Sequence, residues 1–304
     1  MNSLQSKVLR VLEALYRTVL MPPLFQVMRV FRDQVFLIEL RNSNLRPAVI
    51  APILYFPLRV YRALGRMMTH TFNEYALSKY VSYIQHHYSK GGRGYFAYAD
   101  LSDQEKIGLF GVPKGRIAPL IDSHGHILGL KDGDSFFDVG CGRGQNIKVL
   151  MERFPNSPIR AIDISAEAVD VIDLAVSDPR VTTQVCDLKD AATYAGIGDN
   201  TYDHVVMSHV MALLIGGSIA ETRATRRMII SNLVRIARKS VVIIDNPAIL
   251  ADQAAFKIEQ LNRGYFAESI LPYFPANAGA VVTVKLGESV AVVSLPAVPG
   301  KGKE

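Results

Sequence analysis

Asp134-Ser-Phe-Phe-Asp-Val-Gly-Cys-Gly-Arg-Gly-Gln145, followed at once by Asn146-Ile-Lys-Val-Leu-Met-Glu-Arg153, is the stretch on which the rest of the chain is organised. Phe136, Phe137 and Val139 form an apolar run suited to a buried parallel strand, and Gly140, Gly142 and Gly144 then allow a tight turn into a helix. The turn has no Cβ atoms at three positions, so its backbone can reach positive φ and come close to a ligand. The free amides of the helix start favour an electronegative group. Strand, glycine turn and helix together predict a nucleotide-type binding site.

A glycine turn alone does not distinguish among nucleotide binders. The dinucleotide fingerprint would place its third glycine at position 145, which is Gln145, and no Gly-Lys-Ser/Thr of a phosphate loop follows. The spacing Asp138-x-Gly140-x-Gly142-x-Gly144 instead resembles the first motif of the class I S-adenosylmethionine-dependent methyltransferases. That resemblance implies that Asp138 and the glycine turn hold the amino-acid end of the cofactor.

Three downstream segments extend the resemblance. Ile159-Arg-Ala-Ile-Asp-Ile164 reads as a second strand ending in Asp163, where a carboxylate can accept two hydrogen bonds from ribose hydroxyls, with Ile164 beside it. Val181 to Asp187 reads as a third strand, and Asp187 with Leu188 occupies the place that meets the adenine in the family. Thr201 to His209 is the fourth strand, with Asp203 at its start and Met207, Ser208 and His209 at its mouth. A helix is expected over Glu221 to Arg238 and a fifth strand over Ser240 to Asp245. Ala280–Leu286 and Ser289–Leu295 flank Gly287-Glu288 as an antiparallel hairpin. The expected fold is therefore α/β: a Rossmann-like class I methyltransferase sheet, mostly parallel with a terminal antiparallel hairpin, covering about residues 130–296.

The chemistry implied is in-line attack on the sulfonium methyl, for which positioning can do most of the work. His209 stands where many family members place a residue beside the reacting methyl, so it is the catalytic candidate. An imidazole there could take a proton near neutral pH, or it could simply pack against the cofactor. No orienting partner can be read from spacing, so packing is the favoured role. His204, inside the strand, reads as a core or helix-contact histidine. His124 and His126 lack companion ligands, and no metal is expected.

The remaining composition describes a folded protein of 304 residues with 49% hydrophobic and 20% charged content. Cys141 and Cys186 lie within strand and turn segments, so reduced thiols are expected. The N-terminus shows no secretory pattern, and a cytoplasmic location follows as an expectation. Residues 1–94 carry 13 Lys+Arg against 4 Asp+Glu, so the remainder is slightly acidic within an overall charge of +6. These residues read as a helical extension ending at Gly91-Gly92-Arg93-Gly94, followed by the methyltransferase domain over 95–304. The run Ala48 to Leu58 is too short to span a bilayer and is broken by Pro52 and Pro57. Helices packing on each other, on the catalytic part or on a second copy are the first reading of this extension. Contact with an anionic membrane surface at the inner membrane face is the second, for the arginines flanking that run.

Residues 95–130 precede the first strand, where the family often folds a lid over cofactor and substrate. Tyr95, Tyr98 and Arg116 are the substrate candidates there, and the two tyrosines could equally bury the junction between modules. Nucleic acid is disfavoured as a partner. The Asn/Asp-Pro-Pro-aromatic tetrad of enzymes that methylate DNA amino groups is absent, its place being taken by Met207-Ser208-His209-Val210, and the catalytic part lacks a positive surface. The expected acceptor is a small molecule, a sugar or a lipid-linked intermediate. A non-catalytic scaffold would be expected to have lost the acidic and glycine positions that this chain retains. A nicotinamide-dependent oxidoreductase is opposed by Gln145 and by the terminal hairpin.

Overall fold

The computed structural model describes residues 98, 101–113, 115–246, 249, 268–286 and 289–296. The helices expected within residues 1–94, the boundary after Gly94, Tyr95 and the turn Gly287-Glu288 lie outside the described residues. The chain runs through α1 (Asp103–Leu109), α2 (Ile117–Leu128), β1 (Phe136–Val139), α3 (Gln145–Arg153), β2 (Ile159–Asp163), α4 (Ala166–Ala175) and β3 (Val181–Val185). It continues through α5 (Ala192–Ala195), β4 (Tyr202–Ser208), α6 (Ile219–Ile236), β5 (Ala237–Asp245), β6 (Ala280–Leu286) and β7 (Ser289–Leu295).

The seven strands form one sheet in the order β3-β2-β1-β4-β5-β7-β6. Strands β1 to β5 pair in parallel, while β7 enters antiparallel between β5 and β6. The mostly parallel sheet and its antiparallel terminal pair are those expected from the sequence.

All four residues of β1 are buried, as a central strand with helices on both faces requires. Side chains alternate across it. Phe137 and Val139 join Val205, Met207, Val241 and Ile243 on the face covered by Ile229, Ile230 and Leu233 of α6. Phe136 joins Ile159, Ala161, Val206, Val242 and Ile244 on the face covered by Ile117 and Leu120 of α2 and Ile147 and Leu150 of α3. Asp138 shares the parity of Phe136, so its carboxyl is directed into the α2/α3 layer.

Two expected boundaries move. The helix expected to reach Arg238 ends at Ile236, and β5 begins at Ala237 with no intervening loop. Ala237 is fully buried and pairs with Tyr202, so the ladder takes the residues that periodicity gave to the helix. The third strand stops at Val185. Cys186 N–H donates to Asp163 O at 2.8 Å, and Asp187 then lies in a turn, its Oδ1 accepting from Lys189 N–H.

At the N-terminal ends of the central strands, register lines up Phe136, His204 and Ser240 across β1, β4 and β5. The His204 ring stacks on Phe136 with centroids 5.3 Å apart. Its Nδ1 lies 2.8 Å from Ser240 Oγ and its Nε2 2.9 Å from Asp134 Oδ2. Lys239 closes the network through Asp134 and, at 3.3 Å, Asp203. His204 and Ser240 have no exposed surface. The residue types are those of a nucleophilic triad, but the hydroxyl cannot meet a substrate, so the group holds three strand ends together. His204 is the core histidine expected from its strand position.

Burial pushes the His204 pKa below its ordinary value, against the opposing pull of Asp134. The unfolded chain therefore binds this proton more readily, and the stability contributed by the neutral imidazole is full above about pH 6.5 and lost as pH falls below it. His204→Leu leaves the buried Ser240 hydroxyl without this partner and is expected to cost about 2 kcal/mol at pH 8. Denaturant titration at several pH values checks this: the advantage of wild type over the variant shrinks below pH 6.5, and a pH-independent difference contradicts the assignment.

Candidate functional site

The strand order reverses between β1 and β4, and in open α/β sheets ligands usually bind in the crevice beyond the carboxyl ends of the strands at such a point. The glycine turn forms one wall. Gly140, Gly142 and Gly144 have φ of 75°, 52° and 79°, a region that residues with a Cβ avoid. Gly140 and Cys141 N–H both donate to Ile162 O, tying the turn to the end of β2, and Gly144 caps α3. Space also demands glycine here. A Cβ on Gly140 would stand 2.3 Å from Val210 Cγ2, and one on Gly144 would stand 2.5 Å from Phe110 Cε2.

Two carboxylates lie beneath this turn. Asp138 is fully buried; its Oδ1 accepts from Asn146 Nδ2 at 3.3 Å, and its Oδ2 has no partner among the described residues. Burial pushes its pKa up to about 7, the Asn146 bond opposes the rise, and the neighbouring Asp163 adds to it. Asp163 accepts Gly142 N–H at 2.8 Å on Oδ2 and Ser165 N–H at 2.9 Å on Oδ1. Burial raises its pKa despite these bonds. Among the described residues neither carboxylate has an ion-pair partner. The acid expected to meet ribose hydroxyls is thus already bound to two backbone amides, each of its oxygens keeping a further lone pair.

Of the other predicted cofactor residues, Ile164 and Ser208 are half-buried at the ends of β2 and β4. Asp187 is exposed. Leu188 is buried in the core cluster with Val139, Ile162 and Tyr194, and its carbonyl accepts from the Tyr194 hydroxyl at 3.1 Å.

The predicted lid segment crosses the glycine turn. Gly111 N–H donates to Arg143 O, Ile117 N–H to Asn146 Oδ1, and Lys106 pairs with Asp170 of α4 at 2.6 Å. Tyr98 is buried, and its hydroxyl accepts from Arg143 Nη1 at 3.2 Å. That contact faces the turn rather than open cleft. Arg116 is exposed at the start of α2.

Across the crevice stands His209, with φ of 57°, one of two non-glycine residues in the left-handed region among the described residues. Its N–H donates to Ile244 O at 2.7 Å, continuing the β4/β5 ladder one step beyond Ser208 opposite Ile244. That register sets His209 against Asp245. Nδ1 lies 4.0 Å from Asp245 Oδ1; the imidazole is 41% exposed and the carboxylate 1%. Asp245 Oδ2 accepts Ala212 N–H and its Oδ1 accepts Asn246 N–H. Burial lowers the His209 pKa, Asp245 opposes that shift, and the charge of Arg116 adds to it. The imidazole is therefore neutral near pH 7 and open to the cleft.

Sequence reasoning missed Asp245, Asn146 and Val210. Asp245 was visible as the last residue of the fifth strand, but only the register pairs it with His209. Asn146 and Val210 carried no signal, since their partners lie across the crevice or beneath the turn. Among the described residues no group of three metal-ligating side chains occurs.

The residues fit a cationic, nucleotide-like ligand: the glycine turn allows close approach of the backbone, and beneath it a buried carboxylate oxygen has no partner among the described residues. The turn and the β4 mouth also touch through Gly140 and Val210, which yields a double-mutant test. Gly140→Ala is expected to destabilise by roughly 3 kcal/mol through overpacking and positive φ. Adding Val210→Ala should recover the overpacking part and leave about 1 to 2 kcal/mol of backbone strain. Strict additivity of the two changes in thermal denaturation would contradict this contact.

Residues 136–228 match the family model described as a methyltransferase domain. No curated protein matches the chain. Among solved structures, a SAM-dependent methyltransferase from Aquifex aeolicus is 17% identical, with 65% of this chain and 100% of that chain covered and a TM-score of 0.41. The pyocyanin biosynthetic protein PhzM is 18% identical over 59% of this chain and 54% of that one, at a TM-score of 0.41. A phosphoethanolamine N-methyltransferase from Haemonchus contortus, holding S-adenosylhomocysteine, is 17% identical over 50% and 35%, at 0.37. All three likenesses are distant. Residues 136–228, carried on this strand order and opening on this glycine turn, thus match a methyltransferase domain.

Proposed function

We propose that this S-adenosylmethionine-dependent methyltransferase acts on a small-molecule, sugar or lipid-linked acceptor. Asp138, the glycine turn of Gly140, Gly142 and Gly144, Asp163 with Ile164, Asp187 with Leu188, and Ser208 serve as the cofactor side of its crevice. His209 and Arg116 serve as the acceptor side. Tyr98 supports the turn through Arg143, and Tyr95 stays a substrate candidate from the sequence alone. When bound, the cofactor supplies an electrophilic methyl group on a sulfonium.

The observation that carries the cofactor assignment is the pair of buried carboxylates, Asp138 and Asp163. Both are desolvated, Asp163 also raises the cost of ionising Asp138, and a ligand ammonium beside Asp138 relieves both effects there. Asp138 holds a proton below about pH 7 in the free protein, and a cation arriving nearby favours its charged form. Binding therefore releases a proton, and affinity rises as pH increases through 7.

Calorimetric titration with S-adenosylhomocysteine at pH 6, 7 and 8, in buffers of different ionisation enthalpy, measures this directly. The wild type is expected to release a fraction of a proton at pH 6 to 7 and little at pH 8. Asp138→Asn abolishes the release and weakens binding about tenfold. Saturable binding with no proton release would refute the role given to Asp138.

The acceptor class is supported by the slightly acidic catalytic part, which is poorly suited to phosphate backbones, and by the basic, apolar residues 1–94. Those residues also suit an anionic membrane surface or self-association. Among the described residues no helix is long and apolar enough to cross a membrane. Co-sedimentation of the full chain with phosphatidylserine vesicles should exceed that with phosphatidylcholine vesicles and fall with added salt. Equal sedimentation with both would remove the membrane-surface reading.

A further inference from the structure

We propose that Asp245 is the positioning residue of the cleft, holding His209 by its Nδ1 side so that Nε2 accepts the proton of a hydroxyl acceptor as the methyl group transfers. This rests on reading the crevice as the methyl-transfer site. The geometry carries it in three steps. Parallel register brings the two residues side by side, since Ser208 pairs with Ile244 and His209 N–H donates to Ile244 O. Asp245 cannot swing away, because Ala212 and Asn246 N–H bind its two oxygens and it is almost wholly buried. His209 is held in a left-handed conformation that a histidine adopts at a cost, and such strain concentrates at working sites.

The separation of 4.0 Å from Nδ1 to Oδ1 is ion-pair range and longer than a hydrogen bond. Catalytic bonds in ligand-free sites are commonly loose and tighten on binding. Two further charged groups act on this pair: Arg116 at the start of α2 acts on the imidazole and Arg226 of α6 acts on Asp245, whose pKa burial pushes up against the pull of His209 and Arg226. Burial and Arg116 keep the imidazole neutral in the resting site. Asp245 becomes most favourable to it when a proton arrives.

The step balances. The acceptor O–H bond breaks and its proton goes to Nε2 of His209. The oxygen bonds to the methyl carbon as the carbon–sulfur bond breaks and its electron pair stays on sulfur. One positive charge thus leaves sulfur and appears on the imidazolium, beside Asp245. A base of this kind serves a hydroxyl in particular. A thiol ionises near neutral pH unaided, and a neutral amine attacks through its lone pair with its protons still attached. An alcohol or phenol oxygen becomes a strong nucleophile only as its proton leaves.

Nitrogen-detected NMR of the histidine side chains in the full chain, with S-adenosylhomocysteine present, tests the arrangement. Wild-type His209 is expected as the Nδ1–H tautomer, and Asp245→Asn should lower its pKa by about one unit and shift it toward Nε2–H. A wild-type Nε2–H tautomer overturns the proposal whether or not the variant folds, and an unchanged titration in a folded Asp245→Asn does the same. Absence of S-adenosylhomocysteine binding by wild type would instead overturn the methyl-transfer reading, leaving the His209 titration intact. With methyl-labelled S-adenosylmethionine and a small-molecule extract, the labelled product should be a methyl ether. An N-methyl or S-methyl product overturns the hydroxyl assignment.

Discussion

Burial of β1 and β4 on both faces is the constraint that shapes this protein. A strand between two helical layers has no solvent side, so polar chemistry is pushed to its ends, and the two ends of this sheet have been put to different uses. Both carry a histidine beside an aspartate. At the N-terminal end His204 is closed in, with both ring nitrogens bonded and its Ser240 neighbour fully buried. At the C-terminal end His209 keeps 41% of its side chain exposed and has one carboxylate at ion-pair distance. The same residue types give a strand clamp in one place and a cleft in the other, and exposure separates them where residue identity cannot.

Asp138 is the one departure from this rule within β1. Its side chain alternates onto the α2/α3 face, among the apolar side chains of that layer and beside Asn146. An ionised carboxylate there is costly, which is why its pKa rises to about 7. Such a group adds nothing to the stability of the free protein at neutral pH. Its presence under the glycine turn, next to a second raised carboxylate, makes physical sense as a feature completed by a cation that the described residues do not supply.

The sequence made the cofactor half legible because that half is contiguous. Strand, glycine turn and helix fall within twenty residues, and the three glycines have the positive φ their spacing implied. Asp163 and the mouth of β4 were placed by counting strands. The acceptor half was opaque because its contacts cross the sheet: His209 meets Asp245 only through the β4/β5 register, 36 positions apart in the chain. The junction of α6 and β5 was misplaced by three residues at the strand start for a related reason. Ala237, Arg238 and Lys239 continue a helical pattern locally, and only pairing with β4 and the ion pairs of Arg238 and Lys239 with Asp203 draw them into the sheet.

The two halves are mechanically joined. The left-handed turn at His209 directs the chain so that the next side chain, Val210, lands on Gly140, where no Cβ could fit. The residue that presents the imidazole is therefore adjacent to the one that packs on the turn above Asp138. Val210 thus joins the glycine turn to the backbone of His209, whose N–H is fixed to Ile244 and whose ring faces Asp245. The cofactor side and the acceptor side are thereby in van der Waals contact across the point where the strand order reverses.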